Sequence, residues 1–87
     1  MAEESIPIGR LQWRCRRGTK ELDRILGGYL EEEYTAAAPE IKQAFTNLLE
    51  QQDPDIFDWL MGAQKANDQF ITIITLLQGK YIGRNGP

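Results

Sequence analysis

The sequence predicts an all-α fold, a small single-domain bundle of about five helices. From Thr19 onward apolar residues return at the i, i+3, i+4 spacing of one helix face, and no segment keeps the period-two alternation of a half-buried strand. A chain of 87 residues forms one domain with a thin core, burying roughly 60% of its extended-chain surface. The helical domain is expected over residues 1–80 and a flexible C-terminal tail over 81–87.

A short first helix is expected near residues 8–16. In the second, Leu22, Ile25, Leu26, Tyr29 and Leu30 line one face, while Lys20, Asp23, Arg24, Glu31 and Glu32 fall largely on the other. Gly18 or Thr19 supplies its N-cap, and Glu21 sits in the first turn, where the helix dipole favours an acid. Gly27-Gly28 conflicts with this pattern, because each glycine costs about 0.5–1 kcal/mol relative to alanine inside a helix. A close approach by another backbone, or a kink, would account for the pair. The helix fades after Tyr34, since Thr35 to Ala38 leads into Pro39, which suits the first position of a new helix.

Ile41, Ala44, Phe45, Leu48 and Leu49 repeat the helical stripe in the third element. Asp53-Pro54-Asp55 then reads as a helix start, with Asp53 as cap, Pro54 at the first position and Asp55 adding negative charge to the first turn. The short helix that follows is apolar around much of its circumference, Phe57 and Leu60 read as core, and Gly62 stops it. The last helix begins near Asn67-Asp68 and carries Phe70, Ile73, Ile74, Leu77 and Tyr81 on one stripe. Its Ile-Thr-Ile-Ile-Thr run favours a strand by propensity, but it has no sheet to join. Fraying is expected from Gly79 to Pro87.

Composition narrows the function. With no histidine in the chain, the commonest general base, metal ligand and physiological-pH switch are all missing. Cys15 is the single cysteine, so neither an intramolecular disulfide nor a CxxC pair is available. No apolar run is long enough to cross a bilayer. Residues 1–8 show neither a secretory nor a transit pattern, and a reducing, cytoplasmic setting is expected.

The formal net charge is −3, yet six of the ten cations, Arg10, Arg14, Arg16, Arg17, Lys20 and Arg24, fall within residues 10–24. A local cationic face on an acidic domain argues for docking one particular partner surface rather than a generic polyanion. Within it, Arg17-Gly18-x-x-Glu21 sets a cation and an acid four residues apart, and the glycine between them lets another molecule's backbone approach. The structural alternative is a capped helix start with a solvated ion pair worth a few tenths of a kcal/mol. Trp13 and Arg10 nearby are of the types that dominate binding hot spots.

Asp55 and Asp58 share a helix face and form either an acidic patch beside the arginines or a solvated surface. A glycosidase would need a sugar-sized cleft and an acid with a raised pKa, which a bundle this small does not supply. Glu31-Glu32-Glu33 reads as a solvated helix end. Cys15, flanked by cations, is read as a small packing residue, although such surroundings lower a thiol pKa when exposed.

Arg17-Gly18-x-x-Glu21-Leu22-Asp23, with Trp13 upstream and Asp53-Pro54-Asp55-x-Phe57-x-Trp59-Leu60 downstream, resembles the FAD assembly factor family SdhE, also called succinate dehydrogenase assembly factor 2. Some bacterial members carry the label antitoxin. The resemblance spans roughly residues 10–80. It implies a five-helix protein that binds the flavoprotein subunit of succinate dehydrogenase, and often of fumarate reductase, to promote covalent FAD attachment.

It also implies that Arg17, Gly18 and Glu21 bind the partner, with Arg10, Trp13, Arg16 and Asp55 as neighbours on the same surface. In that family the flavin is joined to a histidine of the flavoprotein. A chain without histidine is thus expected to act as a chaperone, with no stably bound cofactor, no enzymatic activity, no membrane insertion and a monomeric free state. The rival reading is an antitoxin-like module binding nucleic acid or a toxin through the same arginines. Gly27-Gly28 departs from the bulkier residues the resemblance leads one to expect.

Overall fold

The computed structural model describes residues 7–82. Five α-helices follow one another: α1 (Ile8–Cys15), α2 (Lys20–Glu32), α3 (Pro39–Leu48), α4 (Asp53–Met61) and α5 (Ile71–Tyr81), with single 3-10 turns at Tyr34–Ala36 and Asp68–Phe70. No strand occurs among the described residues, so the β-branched run of α5 is helical. Its Ile73, Ile74 and Leu77 enter the core, where burial decides conformation over local propensity.

Each predicted stripe becomes a packed face. Leu22, Ile25, Leu26, Tyr29 and Leu30 of α2 are all buried, as are Phe45, Leu48 and Leu49 of the third element, with Ile41 and Ala44 packed against them. Helix α1 lies on α2, burying Leu11 and Cys15, and α5 lies against α2, α3 and α4. Aromatic rings pair within the core, with the Tyr29 ring centroid 4.8 Å from that of Phe45 and Trp59 stacked 5.4 Å from Phe70. Phe57 is a correction: it is 40% exposed, because α4 turns Ile56, Trp59 and Leu60 inward and presents Phe57 and Met61 to solvent.

Local signals set the helix ends with small shifts. Thr19 caps α2 by accepting the Leu22 amide, and Pro39 opens α3. Gly62 ends α4 at a left-handed φ of 81°, its neighbour Ala63 donating back to the Asp58 carbonyl at 2.8 Å. Asp53 is the first residue of α4 rather than its cap; Gln52 holds the cap position and makes no side-chain cap bond.

Helix α2 runs unbroken through Gly27 and Gly28. The neighbour of Gly28 is an aromatic ring rather than a backbone: a Cβ there would stand 3.1 Å from Tyr81 Cε1. Tyr81 lies across α2 and donates its hydroxyl to Glu32 at 2.8 Å, while Lys80 pairs with Glu33 at 2.8 Å. The acidic end of α2, expected to be merely solvated, therefore ties down the end of α5. Fraying from Gly79 gives way to helix through Tyr81 and to Ile82 packed on the core; the rest of the expected tail, 83–87, lies outside the described residues.

Burial lifts the Cys15 thiol from its ordinary 9.0 to about 11, against the lowering pull of Arg17, and its Sγ lies 3.5 Å from the Leu26 carbonyl. Cys15 is a protonated packing residue. Burial, and then the bond to Glu32, raise the Tyr81 hydroxyl as well. Both groups fold in the neutral form. Above pH 9 the unfolded thiol ionises while the folded one keeps its proton, so unfolding releases protons and stability falls between pH 9 and 11. Thermal melts across that range are expected to show a falling Tm, and Cys15→Ala is expected to flatten part of the slope.

Candidate functional site

The chain leaves α1 through Arg16 in an extended conformation, crosses Arg17 and Gly18, and starts α2 after Thr19. Gly18 takes φ +89°, and among the described residues no atom lies within 4 Å of where a Cβ would project. The space is open while the backbone favours glycine, so a side chain there would strain the turn and also cover an exposed stretch of main chain.

Arg17 holds this turn. Its backbone N–H donates to Asp23 Oδ1 at 2.6 Å. Its side chain turns inward: Nε donates to Asp53 Oδ1 at 2.7 Å, Nη1 to the carbonyls of Arg14 and Leu49, both at 2.8 Å, and Nη2 to the carbonyl of Gln51. Only the planar five-donor fork of arginine serves so many fixed acceptors at once. The α1–α2 turn is thereby fastened to residues 49–53, which join α3 to α4. Asp53 gains from its place in the first turn of α4 as well. A longer pair, Arg14 to Glu50 at 3.8 Å, runs alongside.

The Arg17 side chain, expected to bind the partner, is thus only 12% exposed, and it pairs with Asp53 instead of the solvated Glu21. Glu21 faces solvent, 51% exposed, with Arg24 3.2 Å away one helical turn on. Gly18 is exposed, as are Arg10, Arg16 and Asp55, none of which has an ion-pair partner among the described residues. Trp13 stands 76% exposed on α1. Trp13 and Arg16 line one shallow hollow together with Gly9, which joins those two expected residues into one patch beside the turn. Asp55 sits two residues beyond the Asp53 anchor, on the exposed side of α4.

Asp53 and Asp23 fasten the turn, a role that local spacing in the sequence does not display. Asp53 was legible as an acid at a helix start; the carbonyls of Leu49 and Gln51 carry no side-chain signal. Among the described residues no cluster of His, Cys, Asp or Glu could hold a metal ion, and no helix is long and apolar enough to cross a membrane. A separate groove of about 470 Å³ runs between the end of α2, the start of α3 and α5, with Tyr29, Ile41 and Leu76 in its lining and the Lys80–Glu33 pair at its rim. It shares no residue with the Gly18 turn.

Removing the Arg17 side chain leaves Asp53 and the Leu49 and Gln51 carbonyls without their donor. Arg17→Ala is expected to cost about 2–4 kcal/mol in denaturant unfolding, with Arg17→Lys recovering less than half and Asp53→Asn costing about 1 kcal/mol. An unchanged midpoint in Arg17→Ala would show that the fork does not hold the loops together.

Residues 9–80 match the model of a family described as flavinator of succinate dehydrogenase. The chain is 40% identical over 79 residues to the FAD assembly factor SdhE of Yersinia pseudotuberculosis, covering 90% of this chain and 89% of that protein. It is 39% identical over 79 residues, with the same coverage, to the FAD assembly factor SdhE of Pectobacterium atrosepticum. It is 42% identical over 60 residues to that of Idiomarina loihiensis, covering 69% of this chain and 67% of the relative. With the family model reaching into all five helices and relatives aligned along most of its length, this chain belongs to the flavinator of succinate dehydrogenase family.

Proposed function

We propose that this chain is an assembly factor that binds the flavoprotein subunit of succinate dehydrogenase and promotes covalent attachment of FAD to it. Family membership supports the activity. The observation that carries the reading onto particular residues is the Gly18 turn, bare to solvent on its outer side and fixed from within by Arg17. A turn already held in one conformation loses little entropy on docking, which is how a small surface gains affinity.

Roles divide accordingly. Gly18 lets the partner's chain approach the backbone, Glu21 offers an exposed carboxylate, and Trp13, Arg10 and Arg16 supply apolar and cationic contacts beside it. Asp55 extends the surface on α4. Arg17 contributes by holding the turn. The factor works as a chaperone, not an enzyme: it binds one conformation of the flavoprotein more tightly than others and shifts the population by that difference in affinity. FAD is cargo of the partner and is not stably held here. A related fumarate reductase flavoprotein is a second client, and the free chain is a monomer.

Covalent flavin on the flavoprotein, measured in cells lacking this gene, tests the reading. Wild type is expected to restore it. Glu21→Ala, which sacrifices only an exposed ion pair, is expected to stay folded and to weaken flavoprotein binding about tenfold, the scale of a hot-spot residue. Gly18→Arg is expected to restore little flavin. Equal flavinylation with and without the gene would overturn the proposal. Steeply salt-dependent binding to DNA or RNA, with no flavoprotein binding, would establish the antitoxin-like alternative in its place.

A further inference from the structure

The paired glycines of α2 are not equivalent. Gly28 is filled from within the molecule by Tyr81, whereas among the described residues nothing stands within 4 Å of a Cβ placed on Gly27. Glycine is the worst helix former after proline, and no contact among the described residues requires one at position 27. Gly27 instead opens into a cleft of about 250 Å³ between α1 and α2. Cys15 and Leu30 give that cleft an apolar component. Arg16 lines it from the end of α1, while Asp23 and Glu31, four residues either side of Gly27, line it from α2.

This charge arrangement indicates the occupant. A phosphate backbone would meet two carboxylates beside a single guanidinium. A polypeptide, with its own carbonyl acceptors and amide donors, complements both signs. Neither Arg16 nor Glu31 has an ion-pair partner among the described residues. Arg16 and Asp23 also flank the Gly18 turn, Asp23 through its bond to the Arg17 amide, so cleft and turn form one continuous surface.

We propose that this cleft seats a segment of the flavoprotein's main chain against Gly27, extending the docking surface from the Gly18 turn along α2. The inference rests on the function proposed above, and the missing side chain at position 27 is what admits the partner.

Gly27→Ala separates this role from a structural one, because the two predict opposite signs. Alanine improves the helix and has room, so Tm is expected to rise by about 4 °C. Affinity for the purified flavoprotein, by titration calorimetry, is expected to fall about tenfold, and further in Gly27→Leu. A raised Tm with unchanged affinity would overturn the inference. A lowered Tm would overturn it too, since the space would then be filled by the chain itself. Wild type is the reference for both readings: if it fails to bind the flavoprotein the proposed function falls, whereas binding by wild type and Gly27→Ala alike removes only the cleft. Loss of affinity for a single-stranded oligonucleotide, in place of the flavoprotein, would assign the cleft to nucleic acid and overturn the inference.

Discussion

A guanidinium among three main-chain carbonyls and a carboxylate joins the two loops at one end of this molecule, and the arrangement of the proposed docking surface follows from that contact. Arginine stays charged at every accessible pH, and taking its charge out of water is tolerable only when nearly every N–H finds an acceptor. Carbonyls of residues 49 and 51 stand free for it because α3 ends there and leaves them outside the helical ladder. The α1–α2 turn cannot shift without breaking several bonds at once. Gly18 holds its unusual backbone angle within that frame, and Glu21 in the first turn of α2 projects from a fixed base.

The opposite end of α2 is closed differently. Its carboxylates, Glu32 and Glu33, engage Tyr81 and Lys80, and the ring of Tyr81 occupies the space above Gly28. Helix α2 thus serves as a spine with a capped and solvent-facing start and a fastened end. The acids that oppose the helix dipole at its C-terminus are offset by contacts with α5. Arg10, Arg16 and Lys20, exposed and without an ion-pair partner among the described residues, lie toward the other end, where Trp13 and the Gly18 turn are exposed.

The architecture was legible because each helix announces itself by period and by its boundary residues. The stripe from Leu22 to Leu30, Pro39 at the start of α3 and Gly62 after α4 each rest on short-range physics that the sequence displays directly. What was not legible depends on contacts distant in sequence. Arg17 and Asp53 are 36 residues apart, and two of the acceptors around Arg17 are backbone atoms from a loop whose path no side chain reveals. Spacing suggested Glu21 as the partner of Arg17, and geometry gave that place to Asp53. Phe57 looked like core by type, but a helix covered on one side buries only the residues facing its neighbours. Glu32 and Glu33 looked solvated because their partners lie on the last helix.

For the candidate site, only residue types and their spacing were legible. Gly18, Glu21, Trp13, Arg10, Arg16 and Asp55 are exposed, as a docking surface requires. Direct contact between these residues and the flavoprotein is proposed. Amide hydrogen exchange on this chain, free and saturated with the flavoprotein, addresses it most directly. Slowed exchange is expected in residues 10–31, strongest around the Gly18 turn, with no change where residues 36–41 and 75–80 border the groove at the other end. Slowing confined to that groove, with the turn unaffected, would contradict it.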